Sequence, residues 1–271
     1  MGESRFKNKL AFVVGGSEGI GKSVAKKLAL AGANVVVLSR NREKLAAAIK
    51  EIESALPRGV KPLLIASELD IRDFSAVREK FRALIQDHGT PDYLINCAGF
   101  ARPGYLEDLD VEHIREMIDL NYMGTVHVCK AVVPYMTKRG SGHIVTTSSI
   151  AGFIGLFGYT GYCGSKFAVV GFSEALRREV APYGVQISVL CPPNTRTPGL
   201  ENENRFKPKE VLATEEKVKV VDPDFVADDL LRGMSRGKFM IIPTFDGALA
   251  HRLNRFLPFV LEQFVKRSKN I

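Results

Sequence analysis

Val13-Val14-Gly15-Gly16-Ser17-Glu18-Gly19-Ile20-Gly21 closes the first apolar run of the chain and opens its first amphipathic stretch. Glycines belong at such a strand-to-helix turn because a side chain would block the tight turn, the approach of a pyrophosphate and the packing of helix on sheet. The helix amino terminus that follows turns unpaired N–H groups and a positive dipole end toward the phosphates. Gly15, Gly19 and Gly21, with Ser17, Glu18 and Ile20 among them, are therefore the expected dinucleotide cradle. Glycine clusters also serve purely structural turns, so the position directly after a strand carries the weight.

Outward from this loop, short β-rich apolar runs alternate with stretches of helical period over the first two hundred residues, the pattern of a parallel sheet wound with crossover helices. Strands are expected at Leu10–Val14, Asn34–Ser39, Lys61–Ala66, Tyr93–Asn96, His143–Ser148 and Val185–Leu190, with a weaker one at Phe239–Ile242. Helices are expected at Gly19–Ala31, Arg42–Leu56, Ser75–Asp87, Val111–Lys138 and Tyr162–Tyr183. The near-continuous apolar strands predict burial on both faces. The fold class is thus α/β, a single-domain doubly wound parallel sheet of Rossmann-like type, helices on both faces, spanning residues 1–271. Only Leu200–Asp224, charged and poorly periodic, breaks the rhythm. It predicts a substrate lid over the carboxyl edge of the sheet, or plainly a solvated loop.

A chain of 271 residues suits one large α/β domain. Its 45% apolar and 25% charged residues exclude a disordered or fibrous protein. Cys97, Cys129, Cys163 and Cys191 form no CxxC pair, so neither a metal site nor a disulfide framework is expected, and a reducing compartment suits them. No run approaches the roughly 20 apolar residues that span a bilayer, and MGESRFKNKL lacks the core of a signal peptide, so a cytoplasmic protein is expected. Net charge +8 suits an anionic cofactor, a membrane surface or nucleic acid. The absence of a zinc finger, an RNA-recognition signature or a basic aromatic stripe argues against nucleic acid. Within the tail at about 247–271, Phe256–Lys269 is apolar and then basic. That reads as a peripheral contact to the cytoplasmic membrane face, or as a tail docked on its own domain or a partner subunit.

The end of the second strand separates the two nicotinamide cofactors. An NAD site places a carboxylate there for the ribose diol, whereas a 2′-phosphate needs a cation. Val37-Leu38-Ser39-Arg40-Asn41-Arg42 offers no acid. Arg40 can clamp a phosphate with its planar fork, assisted by Arg42 or Lys44, while Glu18 would repel one. NADP(H) is the expected cofactor.

Tyr162-Cys163-Gly164-Ser165-Lys166 sets a phenol and an ammonium one helical turn apart. A free tyrosine exchanges protons poorly near neutrality, and a neighbouring cation is expected to lower its pKa. The spacing alone is common. Ser149 lies at the carboxyl end of His143–Ser148, with Ser148 competing for the same role. Asn96-Cys97-Ala98-Gly99 ends another strand, and Asn121 stands in the apolar stretch Ile118–Tyr122. A buried amide there needs partners, which a backbone kink, a water chain or plain core hydrogen bonds would supply.

Taken in order, these motifs resemble the short-chain dehydrogenase/reductase family over about the first 200 residues. The resemblance implies that Tyr162 protonates a carbonyl oxygen that Ser149 polarises. Lys166 would hold the nicotinamide ribose and tune Tyr162, and Asn121 would anchor a water relay. It implies that Asp70, with Ile71 beside it, meets the adenine, and that Asn96, Ala98 and Gly99 flank the adenosine ribose. Thr197, in Pro192-Pro193-Asn194-Thr195-Arg196-Thr197, matches the carboxamide contact, with Pro192 and Thr195 counted among the cofactor residues. Two departures stand out: Val14 replaces the usual threonine of the glycine loop, and Pro193 the glycine of a Pro-Gly pair. Gly155–Thr160 and the run from Pro192 to Pro208 are similar to the 3-ketodihydrosphingosine reductases, which reduce the 3-keto group of a long-chain base with NADPH. Eukaryotic members of that branch carry hydrophobic membrane segments that are missing here. A 3-oxoacyl thioester, steroid or xenobiotic carbonyl remains an alternative substrate, and a non-enzymatic dinucleotide sensor or scaffold a lesser one. The family also implies dimers or tetramers joined through Val111–Lys138 and Tyr162–Tyr183.

Overall fold

Alternate side chains of the first strand, β1 (Leu10–Val14), leave it on opposite faces, and both sets are buried: Leu10, Phe12 and Val14 in one core, Ala11 and Val13 in another. The computed structural model describes residues 3–216, 218–257 and 259. With β1, the strands β2 (Asn34–Ser39), β3 (Leu64–Glu68), β4 (Tyr93–Asn96), β5 (Gly142–Thr147), β6 (Val185–Leu190) and β7 (Met240–Ile241) form one parallel sheet in the order β3-β2-β1-β4-β5-β6-β7. The helices are α1 (Glu3–Phe6), α2 (Gly19–Leu30), α3 (Arg42–Ala55), α4 (Phe74–His88), α5 (Val111–Met117), α6 (Gly124–Arg139), α7 (Thr160–Val180), α8 (Pro198–Asn204), α9 (Lys209–Glu215), α10 (Pro223–Ser235) and α11 (Phe245–Phe256).

Helices α4, α6 and α7 cover one face through Val77, Phe81, Val128 and Leu176. On the other face α2, α3 and α10 pack through Val24, Leu28, Leu45 and Val226. Each such aliphatic or aromatic side chain contributes about 1.5–3 kcal/mol when fully buried. The sheet order reverses between β1 and β4, which opens a crevice at the carboxyl ends of those strands. The glycine loop stands on one side of it and Cys97–Gly99 on the other. Cys97 N–H donates to the Val14 carbonyl at 2.8 Å, and Gly15 N–H to that of Leu38 at 2.8 Å.

Four expectations need correction. The third strand begins at Leu64 rather than Lys61, because Pro62 has no N–H to give a ladder and pairing with β2 starts at Val35↔Leu64. As an edge strand β3 is also largely half-buried or exposed, not covered on both faces. The helix expected over Val111–Lys138 is interrupted by a wide π-turn at Ile118–Met123. Leu200–Asp224 is not irregular throughout, since it contains most of α8, all of α9 and the start of α10. Among the described residues no helix is long and apolar enough to cross a membrane. Residues 258 and 260–271, which hold most of the expected apolar and basic tail, lie outside the described residues.

Candidate active site

The carboxyl ends of β1, β4, β5 and β6 border a cavity of about 600 Å³. Gly15 explains why the loop after β1 must be glycine: its φ is +72°, and a Cβ there would stand 2.7 Å from Ala98 N. A Cβ on Gly21 would overlap the Gly15 carbonyl, so the helix could not begin so close to the turn. Gly15, Ser17, Glu18, Gly19, Ile20 and Gly21 all line the cavity, which leaves the bare amino end of α2 facing it. A tight glycine turn with the amino end of a helix open to the cavity fits a dinucleotide pyrophosphate. Ser17 is clipped to Ser39 at the end of β2 by a 2.8 Å hydrogen bond between hydroxyls.

Arg40 lines the same cavity and is 52% exposed. Its guanidinium lies 3.9 Å from Asp70, whose carboxylate Arg72 already holds through both oxygens, at 2.6–3.1 Å. The Arg72 hydrogen bond keeps Asp70 below its ordinary pKa, so it stays ionised. Glu18 does not face the cavity uncompensated, because Lys44 pairs with it at 2.7 Å. An exposed pair of this kind is worth about 0–1 kcal/mol, so a phosphate could draw Lys44 away at small cost. Ile71, Ala98, Gly99, Pro192, Thr195 and Thr197 reach the cavity, whereas Lys44, Asp70 and Asn96 do not line it. Asn96 is buried; it donates to Thr125 Oγ1 and accepts from Ala98 N–H, bracing the turn after β4. Thr197 caps α8 by accepting from Leu200 N–H at 3.1 Å, and packs on Gly19.

The proton-handling groups come from two stretches, the end of β5 and the first turns of α7. Tyr162 enters from the first turns of α7 and lines the cavity half-buried. Ser149 follows β5, lines the same cavity and lowers the pKa of the Tyr162 phenol, while its hydroxyl accepts from Ala151 N–H at 3.2 Å. Ser148 also borders the cavity, but its buried hydroxyl is engaged, donating to the Lys166 backbone carbonyl at 2.9 Å. Lys166, one turn along α7, is 3% exposed, donates to Thr147 O at 3.0 Å and lies 5.6 Å from the Tyr162 ring centre. Desolvation pulls its ammonium down to about 8. The Tyr162 phenol is pushed above its ordinary value by burial and by the Glu203 carboxylate, against a lowering contribution from Ser149. The expected lowering by Lys166 is therefore not seen: burial raises the phenol, which is protonated at neutral pH, the form a proton donor must start from.

Asn121 is fully buried in the π-turn and does not line the cavity. Its amide donates to Phe100 O and Ser165 Oγ and accepts from Phe100 N–H, each at 2.9 Å. It thereby ties the loop after β4 to α7, and its backbone carbonyl accepts from Thr125 Oγ1 at 2.7 Å. Sequence reasoning missed a further group on the cavity wall, formed by Tyr159, Glu203 and Glu215. The signals were present: Tyr159 lies three residues before Tyr162, and Glu203 four before Lys207.

Residues 9–208 match the family model described as short chain dehydrogenase. The chain is 40% identical over 227 residues to a 3-ketodihydrosphingosine reductase of Bos taurus, covering 84% of this chain and 68% of that one. It is 38% identical over 256 residues to a 3-ketodihydrosphingosine reductase of Dictyostelium discoideum, covering 89% and 77%. Among solved structures, a short chain dehydrogenase/reductase from Burkholderia phymatum in complex with NAD matches with TM-score 0.81 at 24% identity, over 92% of this chain and 94% of that one. A short-chain dehydrogenase from Sphingobium yanoikuyae in complex with NADPH matches with TM-score 0.78 at 24% identity, over 96% and 95%.

Proposed function

The chain belongs to the short-chain dehydrogenase/reductase family, and from that premise we propose that it reduces the 3-keto group of 3-ketodihydrosphingosine to a secondary alcohol with NADPH. The observation that carries this reading is the convergence of Tyr162, Ser149 and Lys166 on the cavity above the glycine loop. The substrate follows the relatives in Bos taurus and Dictyostelium discoideum. Gly15–Gly21 hold the pyrophosphate, and Arg40 at the end of β2 takes the 2′-phosphate, which supports NADPH over NADH. Asp70 and Ile71 border the adenine, Asn96 shapes the turn on which Ala98 and Gly99 meet its ribose, and Pro192, Thr195 and Thr197 flank the carboxamide. Glu18 and Lys44 form the outer edge of the phosphate site.

Bound NADPH supplies a hydride to the ketone carbon. Tyr162 gives its proton to the carbonyl oxygen as negative charge develops there, and Ser149 donates a hydrogen bond to the same oxygen. Lys166 sits beside the phenol as a cation that steadies the resulting phenolate until solvent returns the proton. Asn121 fixes the π-turn that aligns this path and leads it toward water. The α8–α9 segment acts as the lid, and Ile150, Ala151, Leu156, Phe157 and Val211 give the cavity an apolar wall for an alkyl chain. The molecule works as one domain and as a dimer or tetramer; Gly164, Phe167 and Gly171 leave an open stripe on α7 for a second copy. Phe245, Leu249 and Phe256 lie exposed on α11 with Arg252 and Arg255, which supports peripheral contact with an anionic membrane face.

The test is NADPH oxidation by the purified protein with 3-ketodihydrosphingosine against short ketones. A kcat/KM at least about tenfold higher for the long-chain base is expected, since several buried methylenes contribute about 0.8 kcal/mol each. Equal rates across the panel would contradict the substrate.

A further inference from the structure

Five side chains that the proton-transfer chemistry does not use meet beside Tyr162. Tyr159, at the start of α7, packs at a tilt of 56° with its ring centre 6.0 Å from that of Tyr162. Its hydroxyl lies 2.6 Å from Glu203 Oε1 and 2.9 Å from Glu215 Oε1. Lys207, whose side chain is 1% exposed, reaches Glu215 Oε2 at 2.6 Å and Glu203 Oε1 at 3.3 Å. Asn194 donates to Glu215 Oε2 at 2.8 Å. Arg102 is occupied over the Phe206 ring, 3.3 Å from its centre.

The charges do not balance. Two carboxylates face one ammonium, and Tyr159 has a single proton, enough for one carboxylate at a time. Burying a surplus negative charge is costly, and burial duly raises the Glu203 pKa; an added cation would relieve the pair and keep both carboxylates ionised. A latch that only pinned α8 and α9 to α7 would need one carboxylate per cation. Here both Glu203 and Glu215 line the cavity that also holds Ser149 and Tyr162. The Glu203 charge is felt by the Tyr162 phenol itself.

In 3-ketodihydrosphingosine the carbon next to the keto group carries a protonated amine, so a positive charge must sit close to the oxygen that Tyr162 protonates. We propose that Glu203, supported by Glu215, binds this ammonium and selects α-amino ketones over plain ketones. Lys207, Tyr159 and Asn194 position the two carboxylates. The inference rests on the reductase reading and deepens it, assigning the polar end of the substrate to α8–α9 and leaving the apolar wall to the chain.

The experiment compares kcat/KM for 3-ketodihydrosphingosine and for 1-hydroxyoctadecan-3-one, the same chain without the amine, in the wild-type protein and in Glu203→Gln. The wild type is expected to favour the amino ketone about tenfold or more, as a charge-assisted hydrogen bond provides. In Glu203→Gln that preference is expected to shrink several-fold, with NADPH-dependent thermal stabilisation confirming a folded protein. Equal wild-type rates on both ketones, or a variant that slows both by the same factor, would overturn the inference and leave the reductase reading intact. No wild-type turnover of either ketone would instead overturn the reductase reading itself. Should Glu203→Gln not fold, the wild-type preference and Glu215→Gln decide by the same ratio.

Discussion

Desolvation sets the charge of Lys166. With its pKa drawn down to about 8, the cation predominates below that pH and is lost as pH rises through it. In the proposed mechanism the ammonium steadies the Tyr162 phenolate, so kcat/KM for reduction is expected to decline as pH rises through about 8, measured as a pH profile. A rate that stays level to pH 10 would contradict that role. In the proposed NADPH site Arg40 clamps the 2′-phosphate through one planar guanidinium, so Arg40→Ala is expected to raise KM for NADPH about 10- to 100-fold while hardly changing that for NADH. Steady-state kinetics with both nucleotides would check this, and parallel losses would count against it. Arg40 was legible in sequence because the residue type closing β2 is itself the signal. The Lys44 partner of Glu18, 26 residues away, was not. Nor was the raised Tyr162 pKa, which depends on burial that no spacing rule contains.

The π-turn is the element on which the site geometry rests. Asn121 satisfies both backbone groups of Phe100 and the Ser165 hydroxyl from a fully buried position. Asn121→Ala leaves these groups unpaired, and a loss of about 3 kcal/mol is expected. For a chain of this size that corresponds to a Tm lower by roughly 6–12 °C, readable by thermal melting. An unchanged Tm would show that the amide is dispensable to the turn. The sequence marked the odd residue in an apolar stretch, yet an uninterrupted helical period concealed the widened turn. The strands β1, β2, β4, β5 and β6 were readable because buried parallel strands are apolar runs between turns, whereas the half-exposed edge strand β3 was misplaced by three residues at its start. In α8 and α9, seven residues each, the helical period has too few turns to show, and charges that pair inward looked like solvated ones.

At the scale of the whole molecule, parallel order and a single reversal between β1 and β4 bring the glycine loop to one crevice with Ser149 and the Tyr162–Lys166 pair, more than a hundred residues further along the chain. That convergence is what motif order alone could only imply. The direct measurement is turnover of 3-ketodihydrosphingosine by Tyr162→Phe beside the affinity of the same variant for NADPH. The phenylalanine keeps the ring and removes the acid, so kcat is expected to fall on the order of 10²–10⁴-fold while NADPH binds as in the wild type. Turnover at the wild-type rate in a variant that binds NADPH normally would contradict the assignment of Tyr162 as the proton donor.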